Sequence, residues 1–225
     1  MIKVIKPGLY TSIQDLGRIG FQKFGMPVSG VMDPESYRYA NWLANNPLDN
    51  PVLEATLTGP HLAFEEDTYI AITGGNIKEV PKALQLTYTK GATIRVLEGL
   101  EHDYFTDEAL DTFFSNSYKI GNQSNRMGYR LRGKKIKLKE QTNIISSGLV
   151  LGTIQIPKNG QPIIMMSDRQ TVGGYPRIGN IATFDLSSLA QQKPGDRVRF
   201  KKITQSEAIN LLEMRQKKHA SFLEN

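Results

Sequence analysis

The feature of this sequence that most limits its possible folds is a series of short apolar runs separated by turn residues. Such runs are typical of strands, and many short strands with turns between them predict a barrel or a sandwich. The second half is therefore predicted to be strongly β. Its predicted strands are Thr93–Leu97, Tyr118–Ile120, Ile136–Leu138, Asn143–Ile145, Thr153–Ile156, Ile163–Met166 and Arg197–Phe200.

The first half predicts fewer strands and a helix. We expect strands at Met1–Ile5, Val52–Thr58, His61–Phe64 and Tyr69–Thr73, and a polar, glycine-containing loop from Ser12 to Phe21. A helix from Asp33 to Ala44 is predicted because Asp33 suits the N-cap and Pro34 suits the first helical position. A second helix, Ser206–Phe222, follows a capping box formed by Thr204 and Glu207.

Composition narrows the function classes. The formal net charge of +6 permits an acidic partner. However, Lys135, Lys137 and Lys139 alternate with apolar residues, a pattern typical of the solvent-exposed face of a strand. Because no aromatic residues are interleaved with the basic ones, we expect no nucleic-acid binding.

No apolar window reaches the roughly 18 residues of a membrane span, so we expect a cytoplasmic protein that does not bind membranes. Absence of cysteine excludes thiolate chemistry, and the scattered histidines predict no metal site.

One loop, from Ser167 to Arg177, contains charged side chains, glycines that widen the range of backbone conformations and a proline that restricts it. Asp168 and Arg169 are consecutive, and an extended backbone directs them to opposite faces, so each needs another partner. Gly173 and Gly174 allow close backbone approach, and the proline that follows fixes the exit from the loop. These properties suit a ligand site, but they also suit a structural tie between two loops.

Polar residues at three other positions in the sequence each allow two interpretations of their role. Asp15 and Arg18 pair locally, or Gln14 and Arg18 face a ligand. Asn41, on the apolar face of the first predicted helix, is a packing amide or a ligand contact. Glu54 lies in an apolar strand, where it is paired in the core or serves as a site carboxylate.

The sequence contains six longer motifs: Gln14–Gly20, Ser29–Asp33, Ala40–Asn41, Leu53–Pro60, Ser124–Leu131 and Asp168–Pro176. Together these motifs resemble the KipA/PxpC family, whose members are also called 5-oxoprolinase C subunits or biotin-dependent carboxyltransferase-like proteins. The family is similar to one half of the carboxyltransferase domain of urea amidolyase. The resemblance covers about the first 76 residues and most of Arg95 to Phe200, but only Asn76 to Thr93 stands where the family has a long middle segment.

The resemblance implies two cyclophilin-like β-barrel domains and a role in a complex. We expect an N-terminal domain at 1–92, truncated in its middle, a second domain at 93–203, and a helix and tail at 204–225. The implied activity is ATP-dependent opening of 5-oxoproline to glutamate beside a KipI/PxpB-like and a LamB/PxpA-like subunit. The complex uses ATP, while this chain alone is expected to bind no cofactor. The alternatives are a biotin-dependent carboxyltransferase, which would use biotin, and a regulator that sequesters a KipI-like kinase inhibitor.

The arginines and the stiffened loops that carry them predict a site in a cleft between the two domains, where the Asp168–Arg177 and Arg126–Arg130 loops face the Gln14–Arg18 loop. Lactam opening needs groups that stabilise an oxyanion and activated phosphate, and arginines suit that anionic chemistry. The expected catalytic residues are Asp168, Arg169 and Arg126. The expected substrate-binding residues are Gln14, Asp15, Arg18, Asn41, Glu54, Arg130, Gln170, Thr171, Gly173, Gly174, Tyr175 and Arg177. The alternative is a network of inter-domain salt bridges that binds no ligand.

Overall fold

The computed structural model describes residues 1–74, 91–139 and 144–223, the last six by their backbone alone. These residues are mainly β, which confirms the predicted fold class. The first part contains β1 (Ile2–Lys6), β2 (Tyr10–Gln14), α1 (Pro34–Leu43), β3 (Val52–Thr56) and β4 (His61–Phe64). The second part contains β5 (Thr93–Glu98), α2 (Asp107–Ser115), β6 (Ser117–Ile120), β7 (Gly128–Arg132), β8 (Ser147–Gly148), β9 (Thr153–Gln155), β10 (Ile163–Met165), β11 (Val172–Gly173), β12 (Arg177–Ile181), α3 (Leu186–Ala190), β13 (Arg197–Lys202) and α4 (Gln205–Leu223).

A closed barrel forms the second part, with the strand order β10-β7-β6-β13-β5-β12-β9. Its neighbouring strands are antiparallel except β13 and β5, which run parallel with Arg199 opposite Thr93. Successive side chains of a strand point to opposite faces. Val198 and Phe200 of β13 are therefore buried inside the barrel, whereas Arg197 and Arg199 are exposed on its outer face.

Helix α2 packs against the buried side of β13. Phe113 is fully buried, and its ring stacks on that of Phe200 with the centroids 4.5 Å apart. This helix was not predicted, although Thr106 is a good N-cap, and its hydroxyl accepts a hydrogen bond from the backbone N–H of Ala109. Aromatic packing from α2 thus completes the core of the barrel.

The first part is built differently, from two two-stranded sheets, β1–β4 and β2–β3, and α1 lies between β2 and β3 in the chain. Among its large hydrophobic side chains only Val31, Tyr37 and Tyr39 are buried in the described residues. Most of the exposed large hydrophobic side chains of the described chain also lie here, including Ile13 at 75 % exposure. Residues 1–74 therefore do not form a core of their own in the part of the chain that the structure describes.

Some strand predictions were wrong. Residues 69–73 are not in a strand, and Tyr69 is fully exposed. Ile136 is buried, but its N–H donates to Gly160 O in a turn, and Leu138 forms only an isolated bridge, so residues 136–138 are not a strand either. The predicted strand Asn143–Ile145 lies partly outside the described residues, and residues 144 and 145 are irregular. Conversely, β2 includes residues 12–14, which were expected in a loop.

Both predicted helix starts are confirmed. The Asp33 carboxylate accepts hydrogen bonds from the N–H groups of Glu35 at 3.2 Å and Ser36 at 3.1 Å, and Pro34 occupies the first turn. At α4 the Thr204 hydroxyl accepts from the N–H of Glu207 at 3.2 Å, and the Glu207 carboxylate accepts from the N–H of Thr204 at 2.7 Å. These bonds satisfy N–H groups that a helix leaves without internal partners.

The capping box of α4 yields a stability prediction. Replacement of Thr204 by alanine should destabilise α4 by about 1 kcal/mol, because the N–H of Glu207 loses its hydroxyl acceptor. Faster amide hydrogen exchange in the first turns of α4 would show the loss. Ser206→Ala, two residues further on, is the matched control and should leave the exchange unchanged. Equal effects of the two substitutions would contradict the capping role.

Candidate functional site

Arg126 is the centre of a cluster that joins the two parts of the chain. Its Nε donates to Asp168 Oδ2 at 2.9 Å and its Nη2 to Asp168 Oδ1 at 3.3 Å. Its Nη1 donates to Glu54, and its Nη2 also donates to the carbonyl of Gly30. Arg126 is buried, and these bonds occupy most of its N–H groups. The predicted residues Arg126, Asp168 and Glu54 are thus brought together.

Glu54 reaches this cluster from β3. Its second carboxylate oxygen accepts from the N–H of Met32 at 2.8 Å, so it connects β3, the segment before α1, and Arg126. Burial raises the pKa of Glu54, although the bonds from Met32 and Arg126 oppose that rise. Glu54 is therefore a paired carboxylate at the contact between the two parts of the chain, and 19 % of its side chain is exposed.

Backbone contacts hold the loop that carries Asp168. The N–H of Ser29 donates to Ser167 O at 3.1 Å, and the N–H of Asp168 donates to Arg126 O at 2.9 Å. The Ser167 hydroxyl donates to Val31 O at 3.2 Å. Gly30 has a φ of +81°, and a Cβ there would lie 2.8 Å from backbone atoms, so only glycine presents this carbonyl to Arg126 without strain.

Arg169 lies on the other side of the same loop. It is buried, and its described partners are the carbonyl oxygens of Leu149, at 3.2 Å, and Met166. Burial lowers the pKa of its guanidinium. The expected divergence of Asp168 and Arg169 is observed. Arg169 serves to anchor the loop, and no carboxylate contacts it among the described residues.

A second ion pair lies at the far end of the loop. Arg177 forms a two-point pair with Glu101, and its Nη1 donates to the carbonyl of Gly148 at 3.0 Å. The bonds from Arg177 lower the pKa of Glu101 although burial opposes this. Glu101 was not predicted, because it belongs to no motif that we identified. Arg177 is therefore not part of the Arg126 cluster.

Between these two ion pairs the loop borders a groove of about 350 Å³. A Cβ at Gly173 would lie 2.7 Å from the Gln155 amide, so a side chain there would require the Gln155 side chain to shift. Tyr175 is 46 % exposed, and its carbonyl accepts a hydrogen bond from the Gln155 amide. The groove is mostly apolar with one cation. Its lining residues are Leu138, Ile144, Ile156, Lys158, Gly174, Tyr175 and Pro176.

The predicted residues of the first part make local contacts. Gln14 donates to the Ser12 hydroxyl at 2.9 Å, and Asp15 accepts from the N–H of Gly17 at 2.7 Å. Arg18 donates to the Ser29 hydroxyl at 3.4 Å, so the local Asp15–Arg18 pair is not formed.

The other predicted residues lie outside the Arg126 cluster. Asn41 is buried and donates to Asn50 O at 2.8 Å, as a packing amide does. Arg130 is exposed on β7, Gln170 is exposed beside Asp168, and the carbonyl of Thr171 accepts from the backbone N–H of Leu149.

The geometry assigns different tasks to the cluster members. Arg126 has most of its donors occupied by Asp168, Glu54 and Gly30, and it thereby holds the Asp168 carboxylate in place. Asp168 keeps 31 % of its side chain exposed, while its neighbours Ser167 and Arg169 are buried. A carboxylate that is fixed by an arginine and open on one side can accept a hydrogen bond, or a proton, from an N–H group of a ligand.

Comparison with known proteins places these features in context. The family model described as carboxyltransferase domain, subdomain A and B, matches residues 24–80 and 76–202. The chain is 29% identical to the C subunit of 5-oxoprolinase from Escherichia coli over 289 aligned positions, covering 93% of each protein. Its identity to the C subunit of 5-oxoprolinase from Haemophilus influenzae is 27%, covering 94% of each. The 289 positions exceed the 225 residues of this chain by 64, so the relative has residues for which this chain has no counterpart.

A solved structure shows the same fold. The urea amidolyase of K. lactis superposes with a TM-score of 0.87 at 24% identity, over 98% of this chain and 20% of that one. Within the described residues, no helix is long and apolar enough to cross a bilayer. The same residues contain no group of three or more His, Cys, Asp or Glu side chains arranged to hold a metal ion.

Proposed function

The chain belongs to the family of carboxyltransferase domains, subdomains A and B, and on this basis we propose that it is the C subunit of an ATP-dependent 5-oxoprolinase, which converts 5-oxo-L-proline to L-glutamate. Similarity to the C subunits of two such enzymes extends over nearly the whole of each protein. The observation that carries the proposal is the Asp168 carboxylate, which Arg126 fixes and which remains open on one side.

Asp168 suits one particular step of lactam opening. Transfer of a phosphoryl group from ATP to the lactam oxygen, with release of ADP, removes the amide resonance that protects the carbonyl carbon, so that this carbon becomes open to attack by water. The ring N–H must give up its proton as that transfer occurs, and in this proposal Asp168 accepts it. Water then adds to the activated carbon and the C–N bond breaks. The proton returns from Asp168 to the departing nitrogen, and C–N cleavage leaves an acyl phosphate. A second water then hydrolyses this acyl phosphate to the carboxylate and inorganic phosphate.

The remaining parts of the reaction belong to other subunits in this proposal. We propose a KipI/PxpB-like and a LamB/PxpA-like partner, with ATP used by the complex and no cofactor bound by this chain alone. A cytoplasmic location is part of the proposal and rests on the cysteine-free sequence.

The second candidate function is biotin-dependent carboxyl transfer. The apolar groove at Gly174 to Pro176 favours it, because a groove with one cation, Lys158, would suit an apolar ligand with a carboxylate. Binding of free biotin by the isolated chain, measured by calorimetry, would support this function over 5-oxoproline hydrolysis. No described feature favours the third alternative, sequestration of a KipI-like kinase inhibitor.

Reconstitution tests the proposed function. The isolated chain should not hydrolyse 5-oxoproline, whereas the chain mixed with its two partner subunits should form glutamate and consume ATP. Glutamate formation and ADP release, measured together, are the readout, and the partner subunits without this chain are the control. Turnover by the isolated chain, or no association with either partner, would refute the proposal.

A further inference from the structure

The outer face of the barrel carries a lattice of positive charges across three neighbouring strands. Arg132 of β7 lies opposite Lys119 of β6, and Lys119 lies opposite Arg197 of β13. Residues directly opposite each other in antiparallel strands have Cβ atoms about 5 Å apart. Two further cations lie two residues away on β7 and β13, on the same face. The set, called the cationic stripe here, is Arg130, Arg132, Lys119, Arg197 and Arg199, and all five are exposed.

These charges have no acidic partners in the described part of the chain. The salt bridges there include none of the five residues. The side-chain hydrogen bond found in the stripe is from Arg197 to the Ser117 hydroxyl at 2.9 Å. Some cations elsewhere on the barrel are paired, as Arg95 is with Asp185 and Lys202 is with Glu98. Like charges placed opposite each other destabilise a sheet, so folding alone does not explain the stripe.

We propose that the cationic stripe docks an acidic face of a partner subunit. This inference rests on the proposed function, because it assumes a complex of which the chain is one subunit. Four of the five residues are arginines, whose planar guanidinium groups pair with carboxylates at two points and are enriched in protein interfaces.

The aromatic residues of these strands argue against single-stranded nucleic acid as the occupant. Tyr118, Tyr129 and Phe200 are all buried inside the barrel. Unstacked bases bind on exposed aromatic rings, and the stripe offers none. A protein surface rich in Asp and Glu, in contrast, can bind the positive charges of the stripe without any aromatic ring.

The stripe is also connected to the Arg126 cluster through one strand. Arg126 lies just before β7 begins at Gly128, while Arg130 and Arg132 lie on that strand. A subunit docked on the stripe would therefore contact the strand that follows the arginine positioning Asp168. Assembly and the orientation of the candidate site would then be linked.

The test compares two triple variants that each remove three positive charges. Lys119→Gln, Arg132→Gln and Arg197→Gln together should weaken association with the partner subunits at least about tenfold, and should reduce its dependence on salt. The control, Lys3→Gln, Lys6→Gln and Lys23→Gln, lies on the first part of the chain and should change the affinity by less than about twofold. Sedimentation and titration of the purified subunits give both affinities.

Each outcome of this test is decisive. The stripe variant should keep or slightly raise the thermal midpoint, since it relieves repulsion between like charges. Suppose that the wild-type chain associates with its partners and that the affinity falls in both variants or in neither. That result would overturn the docking inference and leave the proposed function intact. Failure of the wild-type chain to associate would overturn both. Binding of a 20-nucleotide oligothymidylate through the stripe, tighter than the partner subunits, would replace the protein partner by nucleic acid.

Discussion

Replacement of Arg126 by methionine should destabilise the protein by about 3–5 kcal/mol. The substitution removes the cation between Glu54 and Asp168 and leaves two partly buried carboxylates without it, which is the situation in which breaking a buried ion pair is most harmful. Urea denaturation monitored by the barrel aromatics gives the change in the free energy of unfolding. Arg130→Met is the control: it removes the same charge from an exposed position and should change stability by less than about 0.5 kcal/mol.

This prediction has a pH dependence with a definite sign. Burial raises the pKa of Glu54 in the folded protein, and loss of Arg126 removes attraction that opposes this rise. A carboxyl whose folded-state pKa exceeds its unfolded value stabilises the folded state increasingly as the pH falls through the raised pKa toward the unfolded value. The deficit of the Arg126→Met variant should therefore shrink as the pH is lowered from 7 through the raised pKa. A deficit that grows on acidification would contradict an uncompensated Glu54.

Asp168→Asn should reduce 5-oxoproline turnover by the reconstituted complex by about 10²–10⁴-fold. Asparagine keeps the shape of the side chain and still accepts a hydrogen bond from Arg126, but it cannot accept a proton from the lactam nitrogen. Assembly and thermal midpoint should stay close to those of the wild type, because Glu54 still pairs with Arg126.

The matched control for that substitution is Asp103→Asn. Asp103 is exposed, and its carboxylate makes no hydrogen bond or ion pair among the described residues. Turnover should be unchanged in this variant. If Asp168→Asn also leaves turnover unchanged while Arg126→Met unfolds the chain, the cluster is an inter-domain brace without a ligand.

Local patterns in the sequence predicted local structure well. The cap at Asp33, the capping box at Thr204 and the strand at Arg197–Phe200 all depend on residues a few positions apart, and all are observed. Tyr69 to Thr73 has the same apolar composition as the true strands but is not a strand. Composition does not show whether a partner strand is present, and none pairs with these residues in the described part of the chain.

The candidate site shows the same difference between local features, which were predicted, and contacts with distant segments, which were not. Asp168 lies in a turn closed by the N–H of Arg169, which donates to Met166 O, and not in the extended backbone that we expected. The separation of Asp168 from Arg169 was nevertheless predicted. The partners were not, because they come from distant segments: Glu54 reaches Arg126 across the junction of the two parts, and Arg177 pairs with Glu101. A shared contact with a backbone carbonyl, such as that of Gly30, leaves no mark in the sequence beyond a glycine.

The parallel pairing of β5 with β13 has a consequence for synthesis of the chain on the ribosome. These two strands are the first and last of the barrel, so closure requires a contact between residues near 93 and residues near 199. Bringing such distant segments together is entropically unfavourable and slow compared with hairpin formation. Until β13 has emerged, β5 and β6 each present an unpaired edge, because β13 lies between them. The nascent protein thus has two edges open to pairing with other chains, and its yield should depend on how quickly its last strand is delivered.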